Sequence, residues 1–388
     1  MDRERWLIAG TVPQPYLTVA AAVLGAGTMF GAGAYLLLFV IPLIWAWSSN
    51  RYTAALTMFV FYCAAGAPIA PAVRDYQAFQ STLFGWGLLT LLAVAALSAL
   101  PWFFLYRQND QWLTLRLFAV ALLTLAPPLG LFQPAWPFLS AAYPFPGFGV
   151  IGIALLIIFL SQAAKRPLLA LAPLSLSLFW FLIPPAYASS VHWQAHHTKV
   201  PMGFYTLDFA RSYLALRDVS KSLRSTPDAT MHVLPESVAG LDRAATASAL
   251  ARPTGFTIFA GGGEPQTDQS LRSVFFEYSD PNPAGRIIYR QRVPIPLLSG
   301  EALHPFANPV TYSNQTRLGF LLCYEGFAAW TPFITAVARP DVIVAGANLA
   351  FSNIDQLLAS AFRAHLNVWA RLFNKPLVIA INSRPTTQ

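Results

Sequence analysis

The sequence predicts two domains of different class: an N-terminal polytopic α-helical membrane domain over residues 1–189, and an α/β domain built as a layered sheet over residues 190–388. Three observations carry this prediction. The chain is 55% hydrophobic and 11% charged, with a mean hydropathy of +0.49, whereas an ordinary soluble domain has about 25% charged residues. The few charges are also unevenly placed, since only eight of the 25 Lys and Arg residues and four of the 17 acids precede residue 190. Finally, the first half is a succession of long apolar runs, whereas the second alternates short apolar or β-branched runs with helical periodicity.

Crossing the hydrocarbon layer takes roughly 20 apolar residues. On that measure the first half reads as about seven transmembrane helices, at 12–31, 33–49, 52–72, 80–105, 114–133, 147–163 and 168–188. Gly31 and Gly33 set the break between the first two, and one span instead of two remains open over 12–49. Arg51, Arg107, Arg116, Lys165 and Arg166 fall in alternate loops, whereas the intervening loops hold Arg74 beside Asp75 and the uncharged segment 134–146. The positive-inside bias makes the basic loops cytoplasmic and sends the second domain to the periplasmic side. Arg3 and Arg5 ahead of an apolar run also suit a signal peptide, but the unbroken multispan block that follows favours an uncleaved anchor. Trp47, Trp102, Phe103, Tyr106 and Trp136 at span ends fit an interfacial aromatic belt.

In the second half, strands are predicted at 230–234, 256–260, 273–278, 286–293, 317–322, 341–346 and 377–381. Helices are predicted at 208–224 behind an Asp208 cap, at 238–251, at 326–338, and at 355–373 behind Asp355. The segment 189–206, with His192, His196 and His197, reads as a polar connector, and "AGGGEP" at 260–265 as a turn after a strand. Several function classes drop out. The formal charge of +8 is divided between membrane loops and a mixed-sign surface, so it gives no argument for nucleic acid. Cys63 in a predicted span and Cys323 in the second domain make no disulfide scaffold. His192 and His196 lack the acidic partner of a zinc motif, and "AGGGEP" lacks dinucleotide-fingerprint spacing, so neither a metal nor a cofactor is expected.

Three residues carry chemistry. Glu236, in "HVLPESVAG", follows a strand and precedes a helix, which places its carboxylate at a sheet edge. Cys323, in "LGFLLCYEGF", ends an apolar strand just before a helix, where backbone amides would lower its pKa and hold an oxyanion. Glu325, two residues on, would point to the same side of an extended chain. A lone Cys at a strand end is in general more often an inert buried side chain, so the surrounding pattern has to decide.

That pattern resembles the nitrilase superfamily, and within it the membrane-embedded apolipoprotein N-acyltransferases. The resemblance lies in the multiple N-terminal spans and in "LPES", "IIYRQRVP", "LLCYE" and "GANLAF". It implies a nitrilase-like αββα sandwich over 190–388 and a Glu, Lys, Cys triad in which the glutamate deprotonates the thiol, the lysine stabilises the tetrahedral intermediate and the cysteine forms a thioester. By resemblance Glu236 is the base, Cys323 the nucleophile and Glu325 a supporting acid. The implied partners are a membrane phospholipid and a lipoprotein or envelope peptide.

The departures are as informative. No lysine lies between Glu236 and Cys323; Gln291 stands at the lysine's position, flanked by Arg290 and Arg292, either of which could supply positive charge but not exchange a proton. The acyltransferases' closing transmembrane helix is not expected after Gln388. The shorter, divergent form looks more like the TraB-type conjugal transfer proteins, a nitrilase-like branch. Two functions are left: Cys323-dependent acyl transfer or amide hydrolysis at the outer face of a bacterial inner membrane, or a degenerate relative serving as an envelope binding platform.

Overall fold

The computed structural model describes residues 13–79, 86–108, 111–133, 135–183, 192–199, 217, 220–221, 230–236, 238–239, 243–250, 255–266, 271–295 and 302–384. The chain divides into two compact units. The first gathers the described residues up to 183 together with Phe327–Trp330 and Ser360–Asn374, and the second gathers the others.

The first unit is helical: α1 Gln14–Gly27, a 3-10 segment Ala32–Phe39, α2 Val40–Trp47, α3 Arg51–Ala65, α4 Ile69–Phe79, α5 Trp86–Leu105, α6 Leu113–Leu125, α7 Gly149–Ala163 and α8 Leu171–Leu182. Asn50 opens α3 as a capping box, its side chain accepting from the Tyr52 and Thr53 amides. One described helix, α5, is by itself long and apolar enough to cross a bilayer, and only 33% of its apolar window is buried. The predicted span 52–72 is instead a pair, α3 and α4, bent by 49°; Gly66 and Pro68 sit at the break, where proline withholds a helix hydrogen bond. The other apolar helices are 10–17 residues long, shorter than a full crossing at 1.5 Å per residue. Within this unit Trp369 stacks on Trp136 with ring centroids 5.8 Å apart, and the Arg371 guanidinium donates to Ala142 O at 3.1 Å. The stretch 360–374, expected in the second domain, is thus packed with the N-terminal helices because its buried face is aromatic and apolar.

The second unit holds two mixed sheets. In one, β1 Trp193–Ala195, β2 Met231–Leu234 and β3 Thr257–Pro265 run parallel, and β4 Leu271–Ser279 and β5 Asn282–Arg290 continue antiparallel. In the other, β6 Val310–Ser313 pairs antiparallel with β7 Thr316–Leu322, and β8 Val342–Asn348 and β9 Leu377–Asn382 follow in parallel. Val233, Phe259, Phe275 and Tyr289 from the first sheet meet Phe320, Leu322, Val344 and Ala380 from the second in one core. Helix α9, Arg243–Leu250, covers the outer face of the first sheet through Leu250, packed among Leu234, Ile258 and Phe276. Helix α10, Trp330–Val337, lies against Gly319 of the second, where an added Cβ would stand 2.6 Å from Thr335. Helix α11, Asp355–Phe373, has the predicted bounds. The predicted helix at 208–224 with Asp208 lies outside the described residues apart from 217 and 220–221.

Three readings are corrected here. The 189–206 connector contains strand β1, and His196 reaches His232 on β2 at 2.9 Å. Strand β6 escaped notice because "VTYS" is short and only partly buried. The "AGGGEP" run is strand β3 itself and not a turn. Gly261 serves close approach, since a Cβ there would stand 2.5 Å from Glu236 Cα.

Candidate active site

Strand β2 ends at Leu234, and Pro235 and Glu236 then pass directly over Gly261, whose amide donates to Pro235 O at 3.2 Å. This crossing fixes the Glu236 backbone and turns its carboxylate, 7% exposed, inward. Ser273 on β4 donates its hydroxyl to Oε1 at 2.7 Å, and the Asn348 amide at the end of β8 donates to Oε2 at 3.3 Å. The Cys323 side chain supplies a third hydrogen bond. Three separate segments therefore converge on one carboxylate.

Cys323 follows β7 and opens a 3-10 turn, Cys323–Gly326, with its own φ at +46°. Left-handed backbone is uncommon for a residue with a Cβ, and such strain concentrates at functional sites. Here it swings a half-buried sulfur out of the strand direction toward Glu236 and the amides of Asn348 and Tyr324. Burial, then the neighbouring Glu236 charge, holds the thiol well above its ordinary pKa, although the two amides pull the other way. Burial also raises Glu236, against the hydrogen bonds from Ser273 and Cys323. The expected lowering of the thiol pKa by local amides is thus reversed, because burial and a facing carboxylate outweigh two N–H dipoles. The resting pair is a thiol donating to a carboxylate, a geometry in which the glutamate can take the proton as a nucleophile forms.

Glu325 does not lie beside the thiol on an extended strand, since the 3-10 turn redirects it into the core. Fully buried, it accepts from the Tyr289 hydroxyl at 2.7 Å and from the amides of Leu322, Arg292 and Val293 at 2.9, 2.8 and 3.1 Å. The Arg292 guanidinium stands 3.5 Å away and donates to the Tyr289 hydroxyl at 2.8 Å and to Thr335 at 3.0 Å. Arg290, half-exposed, forks onto Glu264 at 2.7 and 2.8 Å. Gln291, at the lysine's sequence position, is buried and donates its side-chain amide to Leu322 O at 3.0 Å. Glu236 and Cys323 are therefore brought together, Glu325 and Arg292 form a separate buried network, and Arg290 is turned to the surface. Ser273 was missed, because a serine inside "LRSVFFEY" carries no local signal of meeting Glu236, whereas Asn348 falls in the "GANLAF" motif, which by itself gives it no role. Among the described residues no group of three or more His, Cys, Asp and Glu is arranged to hold a metal ion.

No family model matches the chain. It is 27% identical over 393 residues to a probable conjugal transfer protein TraB of Sinorhizobium fredii, covering 95% of this chain and 98% of that one. It is also 27% identical over 424 residues to the conjugal transfer protein TraB of Agrobacterium fabrum, covering 99% and 94%. Solved structures that align with it include a carbon-nitrogen hydrolase from Helicobacter pylori (14% identity, 49% of this chain and 72% of that chain, TM-score 0.38). A Nesterenkonia amidase of the nitrilase superfamily aligns at 15% identity, over 49% of this chain and 74% of that chain, with a TM-score of 0.36. The chain is thus similar over nearly its whole length to two TraB conjugal transfer proteins, and the solved structures named align with about half of it.

Proposed function

We propose that this chain is a membrane-anchored accessory protein of conjugal transfer, whose second domain is a nitrilase-like αββα sandwich performing Cys323-dependent acyl transfer or amide hydrolysis at the periplasmic face of a bacterial inner membrane. The observation that carries the reading is the Glu236–Cys323 pair, held by Ser273 and Asn348, with the cysteine in left-handed backbone. In this mechanism the thiol proton passes to Glu236 as the sulfur attacks the carbonyl carbon of an ester or amide. The C–O or C–N bond then breaks, the leaving alcohol or amine takes the proton from Glu236, and a thioester remains on Cys323. Water or an acceptor amine attacks that thioester and restores the thiol. The Tyr324 and Asn348 amides hydrogen-bond the sulfur and favour its thiolate as the proton leaves.

Membrane anchoring is supported by the exposed apolar surface of α5, where Leu88, Leu89, Leu97 and Phe104 face outward, and by Leu122, Ile151, Phe179 and Leu182 on shorter helices. The multi-pass topology rests on the alternation of basic loops. A periplasm-dependent reporter is expected to be active when fused near residue 195 and silent near residue 110, and the reverse pattern would sink the orientation.

A second reading, a degenerate fold used as an envelope platform, is favoured by one specific observation: Gln291 fills the lysine's place and is bonded to Leu322 O. The two separate in one experiment. Cys323→Ser is nearly isosteric and should leave a folded, membrane-inserted protein that lacks a hydroxylamine-sensitive mass shift and has lost its contribution to transfer. Unchanged transfer by Cys323→Ser, with no thioester on the unsubstituted protein, decides for the platform.

A further inference from the structure

Strand β5 is the edge of the first sheet and β6 the edge of the second, and a cleft of about 290 Å³ opens where they run together. Among its lining residues are Arg272, Tyr289, Arg290, Arg292, His304 and Asn308, and no acid is among the described residues that line it. Neither Cys323 nor Glu236 contributes to the lining.

The strongest indication of a ligand is Arg292. Its side chain is 2% exposed, its Nε and Nη2 are used by Tyr289 and Thr335, and its Nη1 is buried with no hydrogen-bond partner among the described residues. A buried charged donor left unsatisfied is costly, so such atoms call for an explanation. The segment carrying His304 is tied to the same residue, because the His304 amide donates to Arg292 O at 2.7 Å. Charge at the cleft is only partly compensated. Three arginines meet two acids: Glu264 pairs with Arg290 and also faces Arg272 across β3 and β4, and Glu325 stands by Arg292, while Arg272 spends Nε and Nη2 on the neutral carbonyl of Gln291 at 3.3 and 3.1 Å.

We infer that this cleft binds a phosphate-type oxyanion, with Arg272 as the charged donor, the buried Arg292 adding positive charge, and His304 and Asn308 at the rim. Guanidinium forks match phosphate oxygens better than chloride, which a merely basic surface would accept equally. Leu303 and Phe306, both exposed beside His304, suit a phosphate that carries an acyl chain, and the test therefore separates a lipid headgroup from free phosphate. The inference is independent of the Cys323 chemistry, and Cys323→Ser should bind the anion as the unsubstituted protein does.

The experiment titrates the full chain in detergent with inorganic phosphate, with chloride at equal ionic strength, and with phosphatidylglycerol added to the micelles, reading affinity by calorimetry and the thermal midpoint. Phosphate or phosphatidylglycerol is expected to bind and raise the midpoint, and Arg272→Gln to weaken binding about tenfold, the weight of one charge-assisted hydrogen bond. Arg272 is not fully buried, so its variant should fold even where Arg292→Lys does not. A response to phosphatidylglycerol alone would identify a headgroup site, and a response to phosphate a soluble ligand. Equal responses to chloride and phosphate, or no difference between the unsubstituted protein and Arg272→Gln, would overturn the inference.

Discussion

Two carboxylates buried in the same domain are handled in opposite ways. Glu325, 0% exposed, is saturated by three backbone amides and a tyrosine hydroxyl, with Arg292 close by. Glu236, 7% exposed, has a serine hydroxyl, one long amide contact and a thiol. The first arrangement pins the β5 end to the turn after β7 and leaves no lone pair for a substrate. The second leaves a carboxylate whose proton affinity is raised by burial and which accepts a hydrogen bond from a thiol. Burial alone therefore does not mark a catalytic acid; the number and chemistry of its donors do.

The largest effect expected from this contrast is on stability. Glu325→Ala would leave the Arg292 charge and several amides without their acceptor, and breaking such a buried pair costs about 3–5 kcal/mol. Denaturant unfolding in detergent should show a loss of that size or failure to fold, and a loss under about 1 kcal/mol would remove the structural role given to Glu325.

A middle-sized effect concerns pH. Glu236 sits above the usual carboxylate range because it is buried, and the Ser273 hydrogen bond opposes that shift. Ser273→Ala removes a bond to the charged form, so the pKa should rise further and the acid limb of Cys323 acylation should move to higher pH. Alkylation of Cys323 across pH, in a Cys63→Ala background, reads the same limb. An unmoved limb would mean that Glu236 is not the base.

The smallest effect belongs to Arg290. Its pairing with Glu264 is partly exposed, and such pairs contribute about 0–1 kcal/mol. Arg290→Gln should therefore change stability by no more than that and leave Cys323 reactivity intact. A large loss of thiol reactivity would show that the arginine turns inward during the reaction.

Much of the fold was legible in the chain itself. Helix α11 announced itself with Asp355 and a long amphipathic pattern, and β7, β8 and β9 with short runs rich in β-branched and apolar residues. The apolar helical half was visible in hydropathy, but not its breaks, such as the 49° bend between α3 and α4. Strand β3 reads as a turn at its glycines, because the role of Gly261 is to admit the Glu236 backbone, a contact with a residue 25 positions away. The site shows the same division.

The sequence by itself determined which residues carry reactive groups and which are absent: Glu236, Cys323, and no lysine between them. Those facts follow from side-chain chemistry and need no coordinates. Only the tertiary structure decided the roles of their neighbours. Glu325 faces inward because a 3-10 turn replaces the extended chain, Arg292 is drawn under Tyr289, Arg290 finds Glu264, and Ser273 arrives from an adjacent strand. Direction and partnership are set by long-range strand pairing and by the need of each buried polar group for a partner, and neither can be read from spacing along the chain.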